Sequence, residues 1–539
     1  MDKYQQRLDQ IAKRAKEFRR VLVDPQVDQD RGEFITDSAV RSDNIKAEAE
    51  DSIFDAAGEG RDFIAGLAAQ SVRAYEKQHG HLPSDEMMAS AMHTVENMLN
   101  PQSDGLKEIM DNATGAGSNT QGSMSVSDGL IKRNHQVALV VPTMLMSVTA
   151  DMITHIPANY DKSEIFRIHR RAGSTFGDLE KGDRIDIDFM GQYTTLDQRR
   201  LAGTGNGEDK RFEYSTQADQ GRVMPIYSGR VRVYVDRNVV AKDTGSGQLI
   251  GQFSQGGSTV VVTGTVDYEK GKIIIDFSEA IKTGIDVHVA FDVNIESQPE
   301  LIPMIDHEME SWTLYPHESA LASSASIQAA FGAKREFNLD LNAMQLQNAR
   351  NLLSAEKDRR RLNDMYFFVS GEHEWCRSIP VGLSFRDHYE ALAETLENIS
   401  MEMMVETKTS GLVGMVCGPK AAALLKSIGA PHFQRAPGYR HIPQPHYVGK
   451  LWGYDLKEDP FMDDPWAILC YAKGRSHGDA GYVGADAISA INYAHPILRN
   501  LRHENTLYEL AYRDLHPYLG RKYFRKLRLV AKDEVLNSI

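Results

Sequence analysis

Few residues in this chain stand at spacings that could do chemistry. Gly474-Arg475-Ser476-His477-Gly478 matches G-x-S-x-G, in which a nucleophilic serine sits on a sharp turn between a strand and a helix. An apolar strand precedes it, but the following residues, DAGYVGADAI, are broken by glycine and read as a second strand. The motif carries chemistry only in its structural context, so a hydrolase using Ser476 is the lesser reading. His432, His441 and His446 lie in a proline-rich loop. Three imidazoles could bind a metal, yet no carboxylate or cysteine lies among them and the prolines splay the backbone. A loop at a subunit contact fits better. His307-Glu308 lacks the second histidine of H-E-x-x-H. Gly203-Thr204-Gly205-Asn206-Gly207 has no apolar strand feeding it and no helix after it, so it lacks the dipole of a phosphate loop and reads as a hairpin tip. Asp459, Asp463 and Asp464 lack the alternating acids and central glycine of a calcium loop and read as a solvated face. No catalytic residue, metal site or cofactor is expected.

Composition narrows the classes further. The 539 residues carry 61 Lys and Arg against 75 Asp and Glu, a net charge of −14. That balance argues against a dedicated nucleic-acid binder, which carries a basic domain. Cys376, Cys417 and Cys470 are too few and too widely spaced for a disulfide framework or a zinc site. The last two sit in apolar runs and read as buried thiols of a reducing compartment. No apolar run reaches the ~18 residues of a membrane span, and MDKYQQRLDQ lacks the apolar core of a signal peptide.

The elements that position these residues follow from periodicity. Residues 1–20 form a basic helix with Leu8, Ile11, Ala15 and Phe18 on one stripe, to be buried on a partner chain or on the parent domain. Residues 24–62 are acidic, and helices are expected at about 63–78 and 84–99, the second opened by Pro83-Ser84 with Asp85 and Glu86. The Gly/Ser run 114–129 marks a linker. Ile185, Ile187 and Phe189 alternate with acids as in a half-exposed strand. Residues 197–222 read as the tip of a projecting hairpin, and 226–240 and 259–295 as further strands of a small all-β insertion. Helices are expected over 340–366, 387–407 and 420–428, and strands at 412–417, 447–456, 466–472 and 482–493. The tail 521–532 carries Arg521, Lys522, Arg525, Lys526, Arg528 and Lys532 with no acid before Asp533. Tyr518, Tyr523 and Phe524 between these cations would suit nucleic acid; an arm meeting an acidic neighbouring subunit is the preferred reading.

With no convincing catalytic chemistry, long loops and charge segregated along the chain fit a protein that binds copies of itself. The order of parts resembles the major capsid proteins of tailed phages, the HK97-like fold, in its larger myovirus-type versions. The resemblance rests on FGAKREFNLDLNAMQLQNARNLLSAEKDRRRLNDMY (331–366), similar to a strand leading into a long spine helix. It rests also on GTVDYEKGKIIIDF (264–277), on residues 411–493, and on LYELAYRDLHPYLGRKYFRKLRLV (507–530). It covers about 130–539. It implies an α+β HK97-like capsid fold with a peripheral domain, long spine helix, axial domain, extended loop and N-terminal arm, plus the small all-β insertion. The implied parts are an N-terminal helical region (1–113), linker and arm (114–172), extended loop (173–225) and β insertion (226–296). The peripheral domain with spine helix (297–379), axial domain (380–480) and return with C-terminal arm (481–539) follow. In some relatives such an N-terminal region is a scaffold removed by a protease; here a retained arm or accessory domain is expected.

The implied function is a major capsid protein of the virion, assembled in the host cytoplasm as hexamers and pentamers into an icosahedral shell around double-stranded DNA. Partners would be the chain itself, portal and scaffolding proteins and decoration proteins, with weak DNA contact and no membrane. Subunit contacts are expected at Arg199, Arg200, Lys210, Arg211, Arg435, Arg440, Arg521, Lys522, Arg525 and Lys526. An encapsulin-type cargo shell, which shares the fold, is the main alternative; a tail sheath or portal is a further one.

Overall fold

A computed structural model describes residues 2–28, 33–100, 136–185, 191–339, 341–494 and 502–532. The chain divides into two compact units, Met1–Phe166 with Ser311–Ile539, and Arg167–Glu310. The linker run 114–129, and Ile187 and Phe189 of the expected strand, lie outside the described residues.

The first unit opens with helices α1 (Asp2–Phe18), α2 (Ser38–Ala49), α3 (Arg61–His79) and α4 (Asp85–Leu99). Helix α5 (Val140–Leu145) and strands β1 (Thr154–His155) and β2 (Ser163–Ala172) follow. The stripe on α1 buries Ile11, Ala15 and Phe18 in the chain's own core, and α1 packs on α4. Ser84 caps α4 by accepting from the Met87 N–H, and Asp85 and Glu86 occupy its first turn, where the helix dipole favours acids. Nearly every α4 side chain from Met87 to Leu99 is buried, the polar Ser90, His93, Thr94 and Asn97 included. These helices share one apolar core with Val483, Ala485, Ile488 and Tyr512 from far along the chain. Residues 2–99 are therefore a layer of this unit's own core.

The second unit holds β3 (Asp197–Thr204), β4 (Arg211–Ser215), short helix α6 (Thr216–Gln220) and β5 (Arg232–Val235). It continues through β6 (Asn238–Asp243), β7 (Gln248–Gln255), β8 (Ser258–Asp267), β9 (Lys272–Phe277) and β10 (Asp286–Asp292). The eight strands form one antiparallel sheet in the order β3-β10-β5-β6-β7-β8-β9-β4. The projecting hairpin expected over 197–222 is absent: β3 pairs with β10 and β4 with β9. The cause is burial, because inward-facing Phe212 and Tyr214 lie opposite Ile275 and Ile273 in one core. Nor is Gly203–Gly207 a free tip. A Cβ on Gly205 would stand 2.4 Å from the Lys282 carbonyl oxygen, so only glycine lets the loop lie on 281–285. Residues 173–225 and 226–296, distinguished by sequence as extended loop and β insertion, thus contribute to the same sheet. Their tight turns are local: Asp236-Arg237 and Gly256-Gly257 have positive φ at both central positions, as two-residue hairpins of this twist require.

Strand β11 (Ile305–Leu314) pairs with β2. Then come β12 (His317–Ser326), α7 (Ile327–Phe337), α8 (Leu341–Phe367), β13 (Glu372–Cys376) and α9 (Phe385–Thr407). Strand β14 (Leu412–Cys417), helix α10 (Pro419–Ser427) and strands β15 (Phe433–Arg435), β16 (His446–Leu451) and β17 (Tyr454–Glu458) follow. The chain ends in β18 (Ala467–Ala472), β19 (Tyr482–Ala494), β20 (Arg502–Leu515) and β21 (Phe524–Val530). The strand expected to lead into the long helix at 331 is helix α7, capped by Ser326, which accepts from the Ala329 N–H.

Two sheets complete the first unit. One runs β1-β19-β20-β12, and α8 packs across β12, β19 and β20. The other runs β13-β21-β18-β14-β17-β16-β15. Its central strands are covered on both faces, with Met415, Cys417, Ile468 and Cys470 in one core and Val416, Leu469 and Tyr471 in another. That burial explains why Ala467–Ala472 is an unbroken apolar run.

If residues 2–99 belong to the common core, damage there should melt the whole unit. Phe18→Ala should cost roughly 3–5 kcal/mol, read as a lower urea midpoint of tryptophan fluorescence, since Trp312 packs against that core. A separate early transition, with the main one unmoved, would contradict the shared core.

Candidate functional site

Of the residues that might have done chemistry, the histidines are engaged by groups of their own chain. Ser476 is exposed in the connection between β18 and β19, with no helix after it. The loop is closed by Gly474 N–H to the Asp479 carbonyl at 2.6 Å, and the neighbouring His477 Nδ1 lies 2.8 Å from Glu86 Oε1. The three loop histidines have separate partners: His432 meets Glu390 at 3.2 Å, His441 meets Tyr439 at 3.0 Å, and His446 meets the Gln444 carbonyl at 2.9 Å. Among the described residues no group of His, Cys, Asp or Glu is placed to hold a metal ion. Cys376, Cys417 and Cys470 are free thiols; burial raises Cys417, and pushes Cys470 up to about 12. Among the described residues no helix is long and apolar enough to cross a membrane.

The basic tail is not an arm. FRKLRLV forms β21, between β13 and β18, with Phe524, Leu527, Leu529 and Val530 buried. Its cations meet acids of the same chain. Arg525 is 2% exposed, with Nη2 2.8 Å from Glu406 Oε1; Lys526 Nζ lies 3.3 Å from Glu372, and Arg528 Nε 3.0 Å from Asp464. Arg525 and Lys526 therefore leave the set of expected contact residues, and Lys522 is half-buried. Arg200 leaves it too, held by Asp178 at 2.6 Å and Asp219 at 3.6 Å. Arg199, Lys210, Arg211, Arg435, Arg440 and Arg521 are exposed. Arg211 lies 3.8 Å from Asp276, Arg435 covers the Tyr439 ring and Arg521 the Phe368 ring.

The strongest electrostatic feature, which the sequence reading missed, is interior. Lys357 of α8 reaches Asp486 of β19 at 2.8 Å and Glu509 of β20 at 2.7 Å, all three buried. Arg361, one turn on, stands 3.9 Å from both Asp486 and Asp358. Asp358 accepts from Thr149 at 2.8 Å and from Ser147. Burial works against the Lys357 ammonium, but Asp486 and Glu509 outweigh it and push Lys357 up to about 12. Burial raises Asp486 too, yet Lys357 and Arg361 hold it below the usual carboxylate range. Burial, with the Asp486 charge, raises Glu509 against the pull of Lys357. Lys357, Asp358 and Arg361 follow the i, i+1, i+4 spacing of one helix face, a signal that reads equally well as a solvated stripe.

Further buried polar ties attach the N-terminal layer. Thr94 donates to the Asp486 carbonyl at 2.6 Å, and Asn97 to the Ala158 carbonyl at 2.8 Å. Tyr75 donates to Asp151. Burial alone would raise Glu86, but the hydrogen bond and charge of His477, with Lys473 and His155, hold it at about 2. Burial, with Arg14 and Arg7 nearby, lowers His93 to about 3, and burial with Lys473 lowers His155 to about 4.

Comparison with known proteins adds three findings. A family model described as a domain of unknown function, DUF8615, matches residues 1–147. Protein IncB of Escherichia coli is 34% identical over 179 residues, 32% of this chain and 83% of that protein. Similar solved structures include the capsid of jumbo bacteriophage PhiKZ, with TM-score 0.33 and 8% identity over 71% of this chain and 92% of that one. Mycobacterium phage Che8 has TM-score 0.30 and 10% identity over 63% and 96%, and the SrpI encapsulin of Synechococcus elongatus 0.30 and 11% over 42% and 78%.

Two outcomes follow from the buried charges. Lys357→Met should cost roughly 3–5 kcal/mol by leaving the buried Glu509 carboxyl without its nearest cation; adding Glu509→Leu should recover part of the loss in thermal melts. Acid should also destabilise. The lowered histidines oppose protonation in the folded state, so stability should fall from about pH 6.5 towards 4, and Glu86 should add a loss as pH falls from about 4.5 towards 2. The limiting slope is about 1.4 kcal/mol per pH unit per group. His155→Gln should flatten the upper window in urea midpoints taken at several pH values; an unchanged slope would contradict the assignment.

Proposed function

We propose that this chain, which belongs to the family of Escherichia coli Protein IncB, is a structural subunit of a capsid-type protein shell. The observation that carries the reading is topological. Strand β12 leads through α7 into the long helix α8; the chain then lays down six strands of the seven-stranded sheet, returns as β19 and β20 to the sheet of β12, and ends in the seventh strand, β21. A β-rich unit is inserted before that point. In this reading α8 is the spine of an HK97-like subunit, β12, β19 and β20 form its peripheral sheet, and about 380–480 is its axial domain. Unit Arg167–Glu310 takes the place of the extended loop and β insertion together.

In this reading the subunits form hexamers and pentamers, close an icosahedral shell by symmetry, and enclose double-stranded DNA. A net charge of −14 suits a wall that leaves DNA mobile, because tight phosphate binding needs many cations. The exposed Arg199, Lys210, Arg211, Arg435, Arg440 and Arg521 are contact residues between subunits, and portal, scaffolding and decoration proteins are the further partners. The work is structural rather than catalytic: Ser476→Ala should leave assembly unchanged. The virion is its place of action.

Electron microscopy of the purified protein tests the reading. Closed particles with nuclease-protected DNA support it. Closed particles loaded with protein would favour a cargo shell, and rings, tubes or monomers at every concentration would overturn it.

A further inference from the structure

The first unit leaves one long sheet edge without the devices that usually keep edges from pairing. Strand β12 pairs with β20 over ten residue pairs with no register shift, and among the described residues no strand pairs on its other side. Natural edges are blunted by shortness, charge, proline or a bulge. Strand β1 has two residues and β15 three, while β13 carries Glu372, His373 and Glu374. Strands β2 and β11, outer by necessity in a sheet of two, are rich in charge. Strand β12 differs: from Ser319 to Ser326 it reads SALASSAS, without charge, proline or bulge. Ala320, Ala322 and Ser324 are exposed. Helix α7, which continues from it, has no buried residue and exposes Phe331 at 67% and Phe337 at 70%.

We infer that the β12 edge is covered by the same edge of a second copy of this chain, the two strands running antiparallel about a twofold axis at Ala322. Three features of the strand favour a copy over an unrelated partner. Its backbone donors and acceptors call for a strand, the occupant that satisfies them in series. The sequence is self-complementary about that centre: Ser319 would face Ala325, Ala320 would face Ser324, and Leu321 would face Ser323, so no charge opposes a like charge and no bulky pair collides. The ends are complementary in charge. The same register sets exposed Glu318 of each copy against Ser326 of the other, which caps α7, and so places a carboxylate at the positive end of that helix. The inference draws on the shell reading for what the paired copies build, while the pairing itself stands on the strand.

The test combines hydrogen exchange with edge lysines. In the full-length protein, amides in 319–326 that point away from β20 should exchange at least about tenfold more slowly in the associated than in the dissociated protein. Ala320→Lys with Ala322→Lys should abolish association while leaving the thermal melt and circular dichroism unchanged; Ala322→Lys alone should weaken it and guards against a folding defect in the pair. Particles that form with open β12 exchange, or with both lysines present, would overturn the inference and leave the shell reading intact. A lysine-sensitive dimer that builds no particles would support the inference and overturn the shell reading. A monomer at every concentration would overturn both.

Discussion

Charge taken out of water must be answered by opposite charge or hydrogen bonds, and the first unit is organised around that demand. Lys357, Asp486 and Glu509 bring together a helix and two strands that are widely separated in the chain. Arg361 and Asp358 extend the cluster to the 147–149 turn. The Asp486 carbonyl then takes the Thr94 hydroxyl, which ties in the N-terminal helices. Apolar burial supplies most of the driving force, but it tolerates sliding. A buried ion cluster does not, because a small displacement strands a charge.

The Arg167–Glu310 unit is built on a different basis. Its strands alternate, its tight turns use residues able to hold positive φ, and four of its seven pairings join neighbours in sequence. Consecutive β3 and β4 occupy the two ends of the sheet order, and Gly203 leaves room beside Phe212, since a Cβ there would stand 2.8 Å from that ring. The seven-stranded sheet follows a third pattern, with apolar strands covered on both faces.

These differences explain what could be read in advance. Helices α3, α4, α8, α9 and α10 lay close to where periodicity, capping and proline placed them, because those signals are local. Strands β14, β18 and β19 were legible for the same reason, whereas the single strand expected over 447–456 is two, β16 and β17, turned back on each other at Trp452-Gly453, where both φ are positive. The basic tail was misread because a count of Arg and Lys does not say whether acids wait elsewhere in the chain; Glu372, Glu406 and Asp464 are remote in sequence and adjacent in space. The polar segment 197–222 was misread as projecting because its partners, β9 and β10, come some sixty to ninety residues later. Helix α7 was taken for a strand, and the Ser326 cap before it carried the better signal.

The amino-acid sequence by itself determined most of the local helices and strands and the buried thiols at Cys417 and Cys470. Those properties depend on residue type and short spacing. Only the tertiary structure decided which charges are spent inside the molecule and which remain for a partner. Arg200, Lys357, Arg361 and Arg525 look like surface cations in sequence and are held by carboxylates of their own chain. The physical reason is that pairing acts through space, at distances of a few ångströms, and has no period along the chain for a sequence to display.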